Sequence, residues 1–180
     1  MRVDVTGIGD RRRWARRTVL GFGLAGVAGL LGAPTAQAVP VTLGRFGFAV
    51  QTSIREQQPS DGWQWQGQLT EHGAPAILVL ARADLVGTEP REVLGLLLAS
   101  GIGGWLPELS AGPARDRLTQ DGSPAVRSAI SFRAASRTGY RGTMLITSNG
   151  GSTAVLAVLG TDRLTAGRIA EILDSARWAA

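Results

Sequence analysis

The sequence predicts an α+β fold, a largely antiparallel β-sheet covered by two helices, on three observations. Runs that alternate apolar and polar residues recur between short turn signals after residue 38. Two other segments, one in mid-chain and one near the end, carry apolar residues at helical spacing instead. The connections are mostly of hairpin length, which suits antiparallel neighbours, because parallel strands need long crossovers.

The elements follow in order. Arg45 to Gln51 sets Phe46, Phe48 and Val50 against Arg45, Gly47, Ala49 and Gln51, the pattern of a strand with one buried face. Thr52 to Gly62, with Gln57, Gln58, Pro59, Ser60 and Asp61, reads as a polar loop. In the next run Trp63, Trp65 and Leu69 share one side while Gln64, Gln66 and Gln68 share the other. Glu71-His72-Gly73 is a hairpin turn leading into Ala76 to Ala83, an unbroken apolar run suited to a central strand. Thr88 caps a helix with Pro90 in its first turn; Val93, Leu94, Leu96, Leu97 and Leu98 form a broad apolar face, and Gly101 ends it. A loop from Gly101 to Pro113 carries Trp105. Three strands follow, at 115–120, 125–133 and 140–148, and Asn149-Gly150 is a hairpin signal into a strand at 153–159. Residues 165 to about 177 close the chain as a helix, with Ile169, Ile172, Leu173 and Ala176 at helical spacing.

Composition places the charge. All 19 basic residues are arginine, and cysteine is absent. Arg2, Arg11, Arg12, Arg13, Arg16 and Arg17 precede residue 38 with only Asp4 and Asp10 among them, so most of the formal net charge of +5 sits there. The rest is close to neutral, which excludes an electrostatic footprint for nucleic acid. That first segment has a basic stretch, an apolar glycine-rich stretch from Val19 to Pro34, and Ala36-Gln37-Ala38, which are the three parts of an export signal cut after Ala38. Arg16-Arg17 ahead of apolar residues resembles a twin-arginine signal, with Ala15 and Val19 departing from the usual pattern. An ordinary export signal and an uncleaved N-terminal membrane anchor are the alternatives. The division expected is therefore a signal over 1–38 and one domain over 39–180. Without cysteine that domain must hold by its core alone, in the periplasm, the envelope or the medium.

Phe46-x-Phe48-x-Val50, the Pro59-x-x-Gly62-Trp63 turn, a mid-chain helix, a block of strands and the final Ile172-Leu173-x-Ser175-x-Arg177-Trp178 together resemble the PsbP-like α/β/α sandwich. That superfamily includes photosystem extrinsic subunits and small actinobacterial envelope proteins of the LpqN type. The long polar loop before Trp63 and the missing lipidation cysteine depart from it. The resemblance implies a non-catalytic binding or accessory role.

Little of the sequence carries reaction chemistry. His72 is the single histidine, so a zinc site of the usual His/Cys kind cannot be assembled. Gly101-Ile102-Gly103-Gly104 follows a helix, whereas a phosphate loop follows a strand. No cofactor is implied. Two constellations are candidate sites. Trp63 and Trp65, with Trp105 on a loop, are either core or the lining of a cleft for a small apolar ligand. Arg127, Arg133, Arg137 and Arg141 fall on two neighbouring strands and their turn, where they form a solvated outer sheet face or a strip for an anionic envelope partner. The reading is an exported, monomeric, non-catalytic binding or accessory protein that meets the export translocase through its signal. An exported hydrolase with a carboxylate site and a structural domain docking on an anionic partner are its rivals.

Overall fold

The structure is a computed structural model that describes residues 37–60, 62–86, 89–99, 109–133, 139–161 and 166–179. The signal residues Arg16, Arg17 and Ala36, the helix cap Thr88, the 101–104 glycines, Trp105 and Arg137 lie outside the described residues.

The strands are β1 (Ala38–Leu43), β2 (Phe46–Gln51), β3 (Arg55–Gln57), β4 (Trp65–Glu71), β5 (Ala74–Val86), β6 (Ser110–Ala111), β7 (Arg115–Leu118), β8 (Pro124–Arg133), β9 (Gly139–Asn149), β10 (Ser152–Gly160) and β11 (Arg177–Trp178). The helices are α1 (Pro90–Ala99), between β5 and β6, and α2 (Ala166–Asp174), between β10 and β11. The large sheet runs β3-β4-β5-β10-β9-β8-β6, with β7 also on β8, and the small sheet runs β1-β2-β11. Every pairing described is antiparallel. The α+β sandwich with a large antiparallel sheet and two helices is as the sequence predicts.

Both faces of the large sheet are packed. On one, α1 lays Val93, Leu94 and Leu97 over Leu80, Val126, Ile130, Met144, Ile146, Val155 and Leu159. Pro90, Val93, Leu94 and Leu97 are the buried residues of α1, one stripe at helical spacing. Leu96 and Leu98 are exposed, so the apolar face is narrower than the sequence suggests. On the other face, the small sheet and α2 bring Phe46, Phe48, Ile172, Leu173 and Trp178 onto Trp65, Ile77, Val79, Leu145, Leu156 and Val158. β10 is buried from Thr153 to Gly160, so it is as much the central strand as β5. Aromatic contacts bind the small sheet down: Phe46 to Trp178 with centroids 5.4 Å apart, and Phe48 edge-on to Trp65 at 5.4 Å.

Three hairpins turn on two-residue loops, Gly44-Arg45, His72-Gly73 and Gly150-Gly151. Positive φ at both positions is what a type I′ turn requires: His72 (52°) with Gly73 (76°), and Gly150 (61°) with Gly151 (83°). The second sits one residue later than the Asn149-Gly150 signal, because Asn149 is still paired with Ser152.

Other differences have identifiable causes. β1 and the three-residue β3 go unpredicted, β1 because Pro40 interrupts it and β3 because all its residues are exposed. Part of the supposed polar loop is thereby an edge strand. The closing helix ends at Asp174, not near Arg177. There the Ser175 hydroxyl donates to the Ile172 carbonyl at 2.6 Å and accepts from the Ala49 N–H at 2.8 Å. That turns the chain into β11, which pairs Arg177 with Gly47 and Trp178 with Phe46.

Candidate functional site

The two tryptophans do not share a face. The alternation of β4 begins at Trp65, which stands across from Ala81 and packs under the small sheet. Trp63 precedes the strand; its N–H donates to the Ser60 carbonyl at 3.1 Å and its ring joins the core beneath α1. Their exposures are 7% for Trp63 and 6% for Trp65. The residue at 67 explains the burial of Trp65: a Cβ at Gly67 would lie against the six-membered ring of that indole, so glycine makes room for it. Neither tryptophan lines the concavity on the outer side of the small sheet or the one at the 121–124 and 148–151 turns.

The arginines do share a face, although not a wholly open one. Arg127 stands across from Leu145, Ser131 from Arg141 and Arg133 from Gly139. Leu145 belongs to the core under the small sheet, so these arginines stand at the margin of that covered face. The outer-face expectation is corrected accordingly. Arg127 is half-buried and donates from Nη2 to Asp174 of α2 at 2.5 Å, while Arg133 and Arg141 are exposed. One residue escaped the sequence reading. Arg115, on β7, stands directly opposite Arg127 of the neighbouring β8. A strand at 115–120 was legible, but its register against β8 was not.

A polar concavity of about 380 Å³ lies between the β7–β8 and β9–β10 turns. Thr119 Oγ1 donates to Asp121 Oδ1 at 2.7 Å, Ser123 Oγ to Asp121 Oδ2 at 2.5 Å, and Asn149 Nδ2 to Ser123 Oγ at 3.2 Å, tying the two turns together. Burial opposes ionisation of Asp121, but the Ser123 and Thr119 hydroxyls and the Trp178 N–H outweigh it and hold the carboxyl below its usual range. A carboxyl depressed in the folded state adds stability above its unfolded pKa of about 3.9 and loses it as pH falls through the folded value. Asp121 is exposed, so solvent screens these bonds, and Asp121→Asn is expected to cost no more than about 1 kcal/mol at pH 7. Urea midpoints at pH 7 and pH 3 check it, and the difference between variant and parent should shrink at the lower pH.

Several other carboxylates serve as ties. Asp116 grips Arg91 through two 2.9 Å bonds joining β7 to α1, and the Arg91 hydrogen bond lowers its pKa. Glu71 accepts from Arg168 of α2 at 3.1 Å, Asp84 pairs with Arg82, and Glu171 accepts from Gln51 at 3.3 Å. Among the described residues no three of His, Cys, Asp and Glu are grouped to hold a metal ion. His72 is exposed in the β4–β5 turn, whereas Ser123 lies in the β7–β8 turn, so the Asp121-Ser123 pair has no imidazole base within its network.

A second concavity, of about 410 Å³, opens on the outer side of the small sheet, between β1, β2 and β11. The sequence signal for it is the alternation Arg45-x-Gly47-x-Ala49, but its walls come together only when β11 docks.

Among the described residues no helix is long and apolar enough to cross a membrane. No protein-family model matches the chain, and no curated protein matches its sequence. Solved structures do. A Bacteroides thetaiotaomicron crystal structure aligns with TM-score 0.48 and 12% identity over 76% of this chain; the chain spans only 46% of that protein. A Pseudomonas aeruginosa protein of unknown function aligns with TM-score 0.39 and 9% identity over 69% of this chain and 83% of its own. The solution structure of cyanobacterial PsbP (CyanoP) from Synechocystis aligns with TM-score 0.56 and 9% identity, over 84% of this chain and 98% of its own. What this chain shares with CyanoP is its fold, the PsbP-like sandwich.

Proposed function

We propose that this chain is an exported, non-catalytic binding or accessory domain that docks on the anionic headgroups of a phospholipid surface through the arginine margin of its large sheet. The observation that carries this reading is the cross-strand arrangement of Arg115 opposite Arg127, with Arg133 and Arg141 further along the same face. Like charges placed directly opposite on a sheet are destabilising, and Asp174 offsets only the Arg127 side. A cross-strand arginine pair suits a surface that meets anions, because the guanidinium fork bonds phosphate bidentately. The export signal over 1–38 puts the domain beyond the membrane, where such a surface is available. Cleavage after Ala38 would fall at the first residue of β1.

Cosedimentation with phosphatidylglycerol vesicles, against phosphatidylcholine, tests the reading. Binding is expected at low salt only to the anionic vesicles, fading as the Debye length shrinks from about 10 Å at 0.1 M to about 3 Å at 1 M. No binding at low salt overturns it. Arg115→Thr is expected to weaken the binding while raising stability by a few tenths of a kcal/mol, since it removes a like-charge cross-strand pair. Paired vesicle titrations and urea melts check both signs.

A further inference from the structure

The outer side of the small sheet holds a trough. Alternation sends Phe46, Phe48 and Val50 of β2 into the core and leaves Gly47 and Ala49 outside. The register flanks Gly47 with Thr42 on β1 and Arg177 on β11, and sets Pro40 beside Ala49. With no side chain at Gly47 and a single methyl at Ala49, the middle of the sheet is hollow. The resulting volume of about 410 Å³ falls in the range that holds small-molecule ligands.

Among the described residues the rim carries charge of one sign. Arg45 is fixed in place, since its Nε and Nη2 donate to the Ala179 carbonyl at 3.3 and 3.0 Å while the Ala179 N–H donates back to the Arg45 carbonyl at 2.7 Å. Arg177 is exposed on the same rim, and none of the lining residues is a carboxylate. We infer that this trough binds an amphiphile with one anionic head: the head lies between Arg45 and Arg177, and the tail runs over Gly47 and Ala49 against Pro40. A guanidinium already held in position costs little entropy to use, which favours recognition of a small anion. The trough shares no residue with the arginine margin, so this inference stands or falls separately from membrane docking.

Calorimetric titration of the full chain with octanoate, octyl phosphate and 1-octanol tests it. One equivalent of at least one anion is expected to bind, and the tighter of the two names the head as carboxylate or phosphate. Arg177→Gln is expected to weaken that binding at least tenfold. Gly47→Ala is expected to weaken it too, by raising the floor of the trough. A Cβ at Gly47 meets nothing closer than the Val41 carbonyl oxygen at 3.5 Å, an ordinary contact, so this variant keeps the fold. Ala49→Leu, whose side chain also points outward, is a second filler, and an unchanged near-ultraviolet dichroism spectrum verifies its fold. Failure of both anions to bind overturns the inference. So does equal binding of 1-octanol, or binding indifferent to all three substitutions. Arg115→Thr is expected to leave octyl-chain binding unchanged while weakening vesicle binding.

Discussion

Trp63→Ala and Trp65→Ala are each expected to lower stability by about 3–5 kcal/mol, the cost of truncating a large buried aromatic. Both indoles are almost fully buried, and each fills a different core: Trp65 under the small sheet, edge-on to Phe48, and Trp63 beneath α1. Lying in separate clusters, they are expected to act additively, and the double variant would lose about 6–10 kcal/mol of a typical domain's 5–15 kcal/mol. Urea midpoints of the two single variants check this. The same experiment separates core from cleft. A tryptophan lining an open cleft would leave the midpoint almost unmoved, so a small loss at either position would restore the aromatic cleft at that residue. Smaller hydrophobes should rescue in part, with Trp65→Phe losing less than Trp65→Ala because it refills much of the volume against Phe48.

How much of this was legible in the sequence depends on whether the signal was local. The alternation around Phe46, Phe48 and Val50, the His72-Gly73 turn and the helical spacing of Val93, Leu94 and Leu97 each lie within one element, and each reappears in the structure. Sequence alternation places Trp63 on the face of Trp65, but β4 starts only at Trp65, and the backbone at Trp63 is turned by its bond to Ser60. β11 is hidden because Ala176 keeps the helical spacing of α2, while the bonds of Ser175 to Ile172 and Ala49 and the pairing with β2 that turn the chain out of the helix include tertiary contacts. The candidate sites show the same division. The arginines at 127, 133 and 141 could be assigned to one face from their own strands, but Arg115 joined them only through the β7–β8 register. The trough was out of reach for a similar reason. Gly47 and Ala49 are local, whereas Arg177 arrives from the far end of the chain by pairing with β2.

The largest loss from a single added methyl is expected at Gly142. This residue sits on β9 across from Leu159 of β10, in the middle of the large sheet. A Cβ there would drive into the backbone of β10: it would overlap the Val158 carbonyl oxygen and stand 2.8 Å from Leu159 Cα. Real Cβ atoms essentially never approach that closely, and the obstacle is main chain, so no rotamer change relieves it. The pairing of β9 with β10 must open or bend, on a strand whose Val155, Leu156, Val158 and Leu159 are all buried. Overpacking a core usually costs about 1–3 kcal/mol when side chains can shift. Here backbone must move between two packed faces, which places Gly142→Ala at or beyond the upper end of that range. Gly139→Ala is the internal control: it lies on the same strand, across from Arg133, where a Cβ meets nothing within 4 Å. Both substitutions remove the same backbone freedom from the unfolded chain, so the difference between their thermal midpoints isolates the steric cost. Gly139→Ala is expected to melt within a few degrees of the parent, and Gly142→Ala more than 10 °C lower, since each kcal/mol moves the midpoint of a domain this size by about 2–8 °C. Equal midpoints for the two would mean that β9 and β10 do not approach as closely at this point as their register indicates.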